Sequence, residues 1–145
     1  MLLRIAVEIE RTRIICRTLE TGAVVVADRG VTSMRAWFDY LAVARQPFEP
    51  LLDELDGFYQ GALTVVCSAD FDTCWTRSTA RGAQSRKDRL GPDLNRRYFE
   101  QYQGNVAALL TSGSDVVVID TIAASVQRAT EALLRAARDR GIIVP

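Results

Sequence analysis

Residues 63–82, LTVVCSADFDTCWTRSTARG, decide how this chain reads. The stretch opens on an apolar, β-branched run at 63–67 that is too short for a helix of its own and reads as a buried strand. A small polar break follows at Ser68-Ala69-Asp70, and the residues after it have helix character. Arg77 and Arg81 stand four apart on that helix, so both guanidinium groups are expected to point the same way. Past Gly82 the chain turns polar and basic, with Arg86, Lys87 and Arg89. Strand, turn, helix and an arginine-bearing flap make the layout of a phosphate-handling α/β domain.

Two further runs match the first. Residues 23–28, AVVVAD, are continuously apolar and end in an acid, the pattern of a buried parallel strand. Their acid falls at the strand's C-terminal end, where open α/β sheets bind ligands. Residues 114–120, SDVVVID, form a third such run. Helical spacing fills the intervals. Leu2, Ile5, Ala6, Ile9, Cys16 and Leu19 predict a helix over 2–20 that ends at Gly22. Thr32 or Ser33 is expected to cap a helix carrying Met34, Trp37, Phe38 and Leu41. Pro47 and Pro50 break the chain before a short helix over 51–59, and Asp93 is expected to cap a helix reaching about residue 110. A last amphipathic helix over 125–140 turns Val126, Ala129, Leu133 and Ala136 inward and closes at Gly141. Three apolar strands separated by helices predict one α/β domain over residues 1–145, a three-layer αβα fold on a parallel sheet.

Composition narrows the function. With 145 residues, 48% of them hydrophobic and 25% charged, the chain has the make-up of an ordinary globular domain able to bury a core. Formal net charge is zero, so no whole-molecule field draws in nucleic acid or a membrane. Between Arg77 and Arg97, however, seven basic residues face two acidic ones, Asp88 and Asp93, which suggests an anionic ligand; the ordinary alternative is a solvated helix face. There is no histidine, which excludes serine–histidine triads, histidine–zinc sites and histidine general bases. Cys16, Cys67 and Cys74 form no C-x-x-C pair and leave an odd count, so they read as buried free thiols of a reducing compartment. No apolar run reaches the roughly 18 residues of a membrane span and no signal-peptide pattern opens the chain, so a cytoplasmic protein without a membrane partner is expected.

Asp28-Arg29 puts a carboxylate and a guanidinium together at a strand's end. Asp28 could hold magnesium through water or accept a proton, and Arg29 could clamp a phosphate bidentately; a local ion pair is the plain alternative. Arg77 and Arg81 could close on phosphate oxygens, where preorganised positive charge stabilises phosphoryl transfer. Trp37, Phe38 and Tyr40 read as core before they read as a base-stacking platform.

Taken in order, these motifs resemble the thymidylate kinase branch of the P-loop nucleoside and nucleotide kinases. Residues 63–82 are similar to that family's strand, turn and helix leading into its lid. Asp28-Arg29-Gly30-Val31-Thr32-Ser33 resembles its Asp-Arg-Tyr-x-x-Ser motif, with Ala36-Trp37 where the family has alanine and an aromatic. Gly22-Ala23-Val24-Val25 and the closing Val118-Ile119-Asp120 also fit. The resemblance implies phosphoryl transfer from ATP, with Mg2+, to a nucleoside or nucleoside monophosphate. By it, Asp28 lies near the metal, through water, and the sugar, and Arg29 holds the acceptor phosphate. Ser33 and Trp37 face the acceptor base. Arg77 and Arg81, with Arg86 and Arg89 in a lid over about 77–92, cover the donor phosphates. Its partner would be a nucleotide or another phosphorylated small molecule.

The chain departs from the family in three places. Gly30 replaces the motif's tyrosine, Glu8 stands where thymidylate kinases place a thymine-reading arginine, and no G-x-x-x-x-G-K-[ST] occurs in the sequence. The expected fold is therefore the family's sheet without its first strand and phosphate loop, which would precede Met1 in a longer natural protein. Strand edges left open by that gap predict self-association as a homo-oligomer. Two rival functions follow: a non-catalytic nucleotide- or partner-binding domain of the same ancestry, and an arginine-rich nucleic-acid binder. Zero net charge weighs against the second of these.

Overall fold

Apolar side chains at helical spacing dominate the first 62 residues. In the computed structural model, which describes residues 2–82, 85 and 88–143, they form α1 (Leu2–Leu19), α2 (Val31–Tyr40) and α3 (Glu49–Phe58). The chain divides into two units, Met1–Ala62 and Leu63–Pro145. In the first, α1 ends where predicted: Gly22 takes φ +77°, open to glycine without a Cβ penalty, and its N–H donates to the Leu19 carbonyl at 2.9 Å. Gly30, not Thr32 or Ser33, is the residue before α2, so Ser33 lies inside the first turn and is buried. Pro50 does not break the chain. It sits in the first turn of α3, where a missing N–H leaves no bond unmade.

Ile5, Val31, Met34, Phe38, Leu52 and Leu55 close the core of this unit, with Ile9, Phe48, Leu51 and Tyr59 packed against it. Phe38 and Leu52 are fully sealed, each such burial contributing about 1.5–3 kcal/mol. Across the outer face Arg35 of α2 binds Asp53 at 2.7 Å and Asp56 at 2.6 Å on α3, with Glu49 at 3.6 Å. Burial pushes the Asp56 carboxyl above the ordinary carboxylate range, although Arg35 works against it.

The second unit is built on a parallel pair. β1 (Thr64–Ser68) runs beside β2 (Val116–Asp120) with Thr64 opposite Val116 and Ser68 opposite Asp120. Between the strands come α4 (Phe71–Ala80), a 3-10 turn at Asp88–Leu90 and α5 (Pro92–Thr111); α6 (Val126–Asp139) follows β2. Asp70 caps α4 and accepts the Thr73 N–H at 2.7 Å, and Ser125 caps α6 and accepts the Arg128 N–H at 3.3 Å. Gly91 precedes α5, with Pro92 at its start, which leaves Asp93 in the first turn rather than at the cap. Ala136 of α6 is buried as expected, but Val126 is 85% exposed. Arg140 forks onto Asp115 with Nη2 at 2.6 Å from Oδ1, fastening the end of α6 to the start of β2.

The three-layer αβα expectation fails. Most of the chain is helical, and among the described residues the sheet has two strands. Residues 23–28 form no strand: Val24 is 51% and Val26 88% exposed. A strand is a pairing, and a valine run without a ladder partner keeps its backbone groups in water. Burial of the other two runs is also less than predicted, with Val66 and Ile119 the buried residues of β1 and β2. A two-stranded sheet makes both strands edge strands and offers little face for helices to pack on, so its side chains stay partly exposed. The cysteines are free as read, but Cys67 and Cys74 are exposed rather than buried. Among the described residues no helix is long and apolar enough to cross a membrane.

Candidate functional site

In the first unit the candidate residues gather at the loop between α1 and α2. Asp28 and Arg29 are both exposed, and among the described residues neither side chain forms an ion pair or hydrogen bond, so the plain reading of a mutual ion pair does not hold. Arg29 has φ +66°, a left-handed backbone that costs a non-glycine residue about 1–3 kcal/mol and persists where its surroundings impose it.

They do. Arg11 of α1 donates from Nη1 to the Asp28 carbonyl at 3.0 Å and from Nη2 to the Arg29 carbonyl at 2.8 Å. The same Nη2 reaches the Glu8 carboxylate and lies 3.4 Å from the Tyr59 hydroxyl, which in turn donates to Glu8 Oε1 at 3.0 Å. Glu8 is buried, so its charge needs this partner. Burial works against the Arg11 charge, but Tyr59 and Glu8 more than offset it and hold the guanidinium above its usual range. None of Glu8, Arg11 or Tyr59 was singled out for this loop on sequence grounds; the i, i+3 spacing of Glu8 and Arg11 was the one available signal.

Ser33 and Trp37, expected to face an acceptor base, sit on α2. Ser33 is buried in the helix's first turn. Trp37 is half-buried, with the Arg4 guanidinium 4.6 Å from its ring centroid and Tyr40 edge-on at 5.4 Å. One ring face is thus already taken by a cation.

In the second unit Arg77 is engaged. Its Nη2 donates to the Thr121 carbonyl at 2.7 Å and its Nη1 to Thr121 Oγ1 at 3.3 Å, while Thr121 Oγ1 donates to the Ser68 carbonyl at 2.9 Å. Arg77 therefore braces α4 against the C-terminal edge of the strand pair. Arg81 is the residue after α4 and is exposed. Arg89 is exposed on the 3-10 turn, which Ser78 Oγ fastens by donating to Asp88 at 2.7 Å. Arg96, counted with the basic cluster, instead lies 4.1 Å over the Phe71 ring and pairs with Asp72 at 2.8 Å. Arg86 and Lys87 lie outside the described residues. Partial burial pushes the Cys74 thiol up, against the pull of Arg77.

Asp28 offers a single carboxylate, and no group of three His, Cys, Asp or Glu side chains among the described residues could hold a metal ion. Magnesium at Asp28 would depend on water and on a bound substrate's phosphate oxygens for its remaining ligands, so the described residues do not by themselves make a site for it. Comparison with protein families, with curated proteins and with solved structures returned no match.

Proposed function

We propose that the chain handles nucleotides in the manner of the nucleotide kinases it resembles, with Arg29 binding the acceptor's phosphate and Asp28 beside it. The observation that carries this reading is the pair of unengaged side chains at Asp28 and Arg29 on a loop whose backbone is held from behind by Arg11. In the second unit Arg81 and Arg89 are both exposed, cations available there to an anion of their own. ATP with Mg2+ would supply the phosphoryl group. The free thiols fit a reducing, cytoplasmic setting, and self-association remains part of the proposal.

A second reading, a nucleotide-binding domain without turnover, is favoured by one specific feature: Arg77, expected to cover the donor phosphates, is committed to Thr121. Calorimetric titration with deoxynucleoside monophosphates and ATP tests the shared core of both. Monophosphate binding should weaken about tenfold in Arg29→Ala, the loss of one charge-assisted contact. ATP should bind weakly, because these residues carry no G-x-x-x-x-G-K-[ST] loop to wrap a triphosphate. Sub-micromolar ATP affinity would show the phosphate site to be elsewhere. A coupled assay for transfer from Mg-ATP then separates the two: turnover supports the kinase, binding without turnover the second reading.

A further inference from the structure

We propose that Arg11 is the positioning residue of this phosphate site, and that the seat it creates consists of the Arg29 and Gly30 N–H groups together with the Arg29 guanidinium. The inference rests on the reading of Arg29 as the residue that meets a phosphate monoester. It adds which group shapes the seat and what else the phosphate touches.

The argument begins with peptide geometry. A trans peptide unit is planar, and its carbonyl and N–H point in opposite directions. Arg11 grips two successive carbonyls, those of Asp28 and Arg29, with the two ends of one rigid fork. The N–H groups that share those peptide planes belong to Arg29 and Gly30, so both are turned away from Arg11. Neither donates to any acceptor among the described residues. Two successive outward N–H groups beside a cationic side chain offer an anion several donors at once, as backbone concavities do elsewhere. The left-handed φ of Arg29 belongs to the same arrangement, because the backbone must turn there for both carbonyls to reach one guanidinium.

Glu8 and Tyr59 give the fork its fixed direction. Arg11 donates to both, and Tyr59 donates to Glu8, so the three polar groups close on one another. Glu8 also offsets the Arg11 charge locally, so Arg11 works on the phosphate through geometry rather than through its own field. Lysine at this position would keep the charge and lose the fork. That difference separates positioning from simple electrostatics.

The test follows binding of a deoxynucleoside monophosphate, and of inorganic phosphate, by NMR of the amide-labelled full chain and by calorimetry. In the unaltered protein the Arg29 and Gly30 amide protons should shift downfield on saturation with either anion. Arg11→Lys should weaken monophosphate binding about tenfold and abolish those two shifts, since a misplaced donor set loses most of its contact energy. Tyr59→Phe keeps the ring in the core and removes only the hydroxyl; it should weaken binding by a few-fold with thermal unfolding nearly unchanged. Arg11→Lys or Tyr59→Phe binding as tightly as the unaltered protein, while Arg29→Ala binds poorly, would overturn the role of Arg11 and leave the reading of Arg29 intact. Absence of any phosphate binding by the unaltered protein would overturn both. Binding without movement of the Arg29 and Gly30 amides would overturn the backbone seat.

Discussion

In the first unit Phe38 and Leu52 are sealed in one apolar cluster contributed by all three helices, whereas in the second Val66, Phe71, Tyr98, Val106 and Ile119 each keep 4–7% exposure. The second unit leans instead on the β1–β2 ladder and on polar groups at the ends of its elements: Asp70, Ser125 and the Arg140–Asp115 fork. A sealed cluster concentrates stability in a few side chains. Caps and ladders spread it over many small contributions, each replaceable at modest cost. The units should therefore respond differently to substitution and to acid.

The contrast breaks most sharply at Phe38. Phe38→Ala should cost the first unit about 3–5 kcal/mol, enough to open it, read as loss of amide-exchange protection in α1–α3 during urea titration. Protection as in the unaltered protein would mean that the cluster is not what holds the helices. In the second unit the largest single effect expected at a helix end is smaller. Ser125→Ala should lower stability by about 1 kcal/mol through the lost cap of α6, measured by the urea midpoint. A cost as large as that of Phe38→Ala would erase the distinction.

Acid sharpens the comparison with the smallest effects. The Thr73 backbone N–H holds Asp70 below the ordinary carboxylate range, and the Arg140 hydrogen bonds do the same for Asp115. Their contribution is present above the unfolded value, near roughly pH 4, and is lost as pH falls through the lower folded values. Asp56 has the opposite sign. Its raised folded value means a cost at neutral pH that is relieved as pH falls through that value. Asp70→Asn and Asp115→Asn should thus flatten the acid limb of the second unit's unfolding, and Asp56→Asn should flatten a gain in the first. Identical pH profiles for variants and parent would refute these assignments.

What the sequence made legible is what depends on neighbours in the chain. Gly22 ends a helix, Ser125 begins one, and the runs read at 63–67 and 114–120 form strands at 64–68 and 116–120, because spacing and turn chemistry act within a few residues. Residues 23–28 carry the same valine pattern as β2 and form no strand. The difference lies in whether a partner is present, which pattern alone does not encode. The candidate loop was legible at Asp28 and Arg29, but its anchor was not. Tyr59 lies 48 residues from Arg11 and 51 from Glu8, and nothing local couples them. The bond of Arg77 to Thr121 spans 44 residues, so no local pattern shows it.

Parallel pairing of Thr64 with Val116 also sets a schedule for synthesis. β1 cannot close its ladder until β2 has left the ribosome some fifty residues later, a wait of roughly 3–10 s at ordinary elongation rates. During that interval β1 is an unpaired apolar segment, while the three helices before it already have every member of their cluster. Nascent chains should therefore be most exposed to misassociation while residues between 68 and 116 are being made, and slowing translation in that window should lower the yield of the second unit more than that of the first.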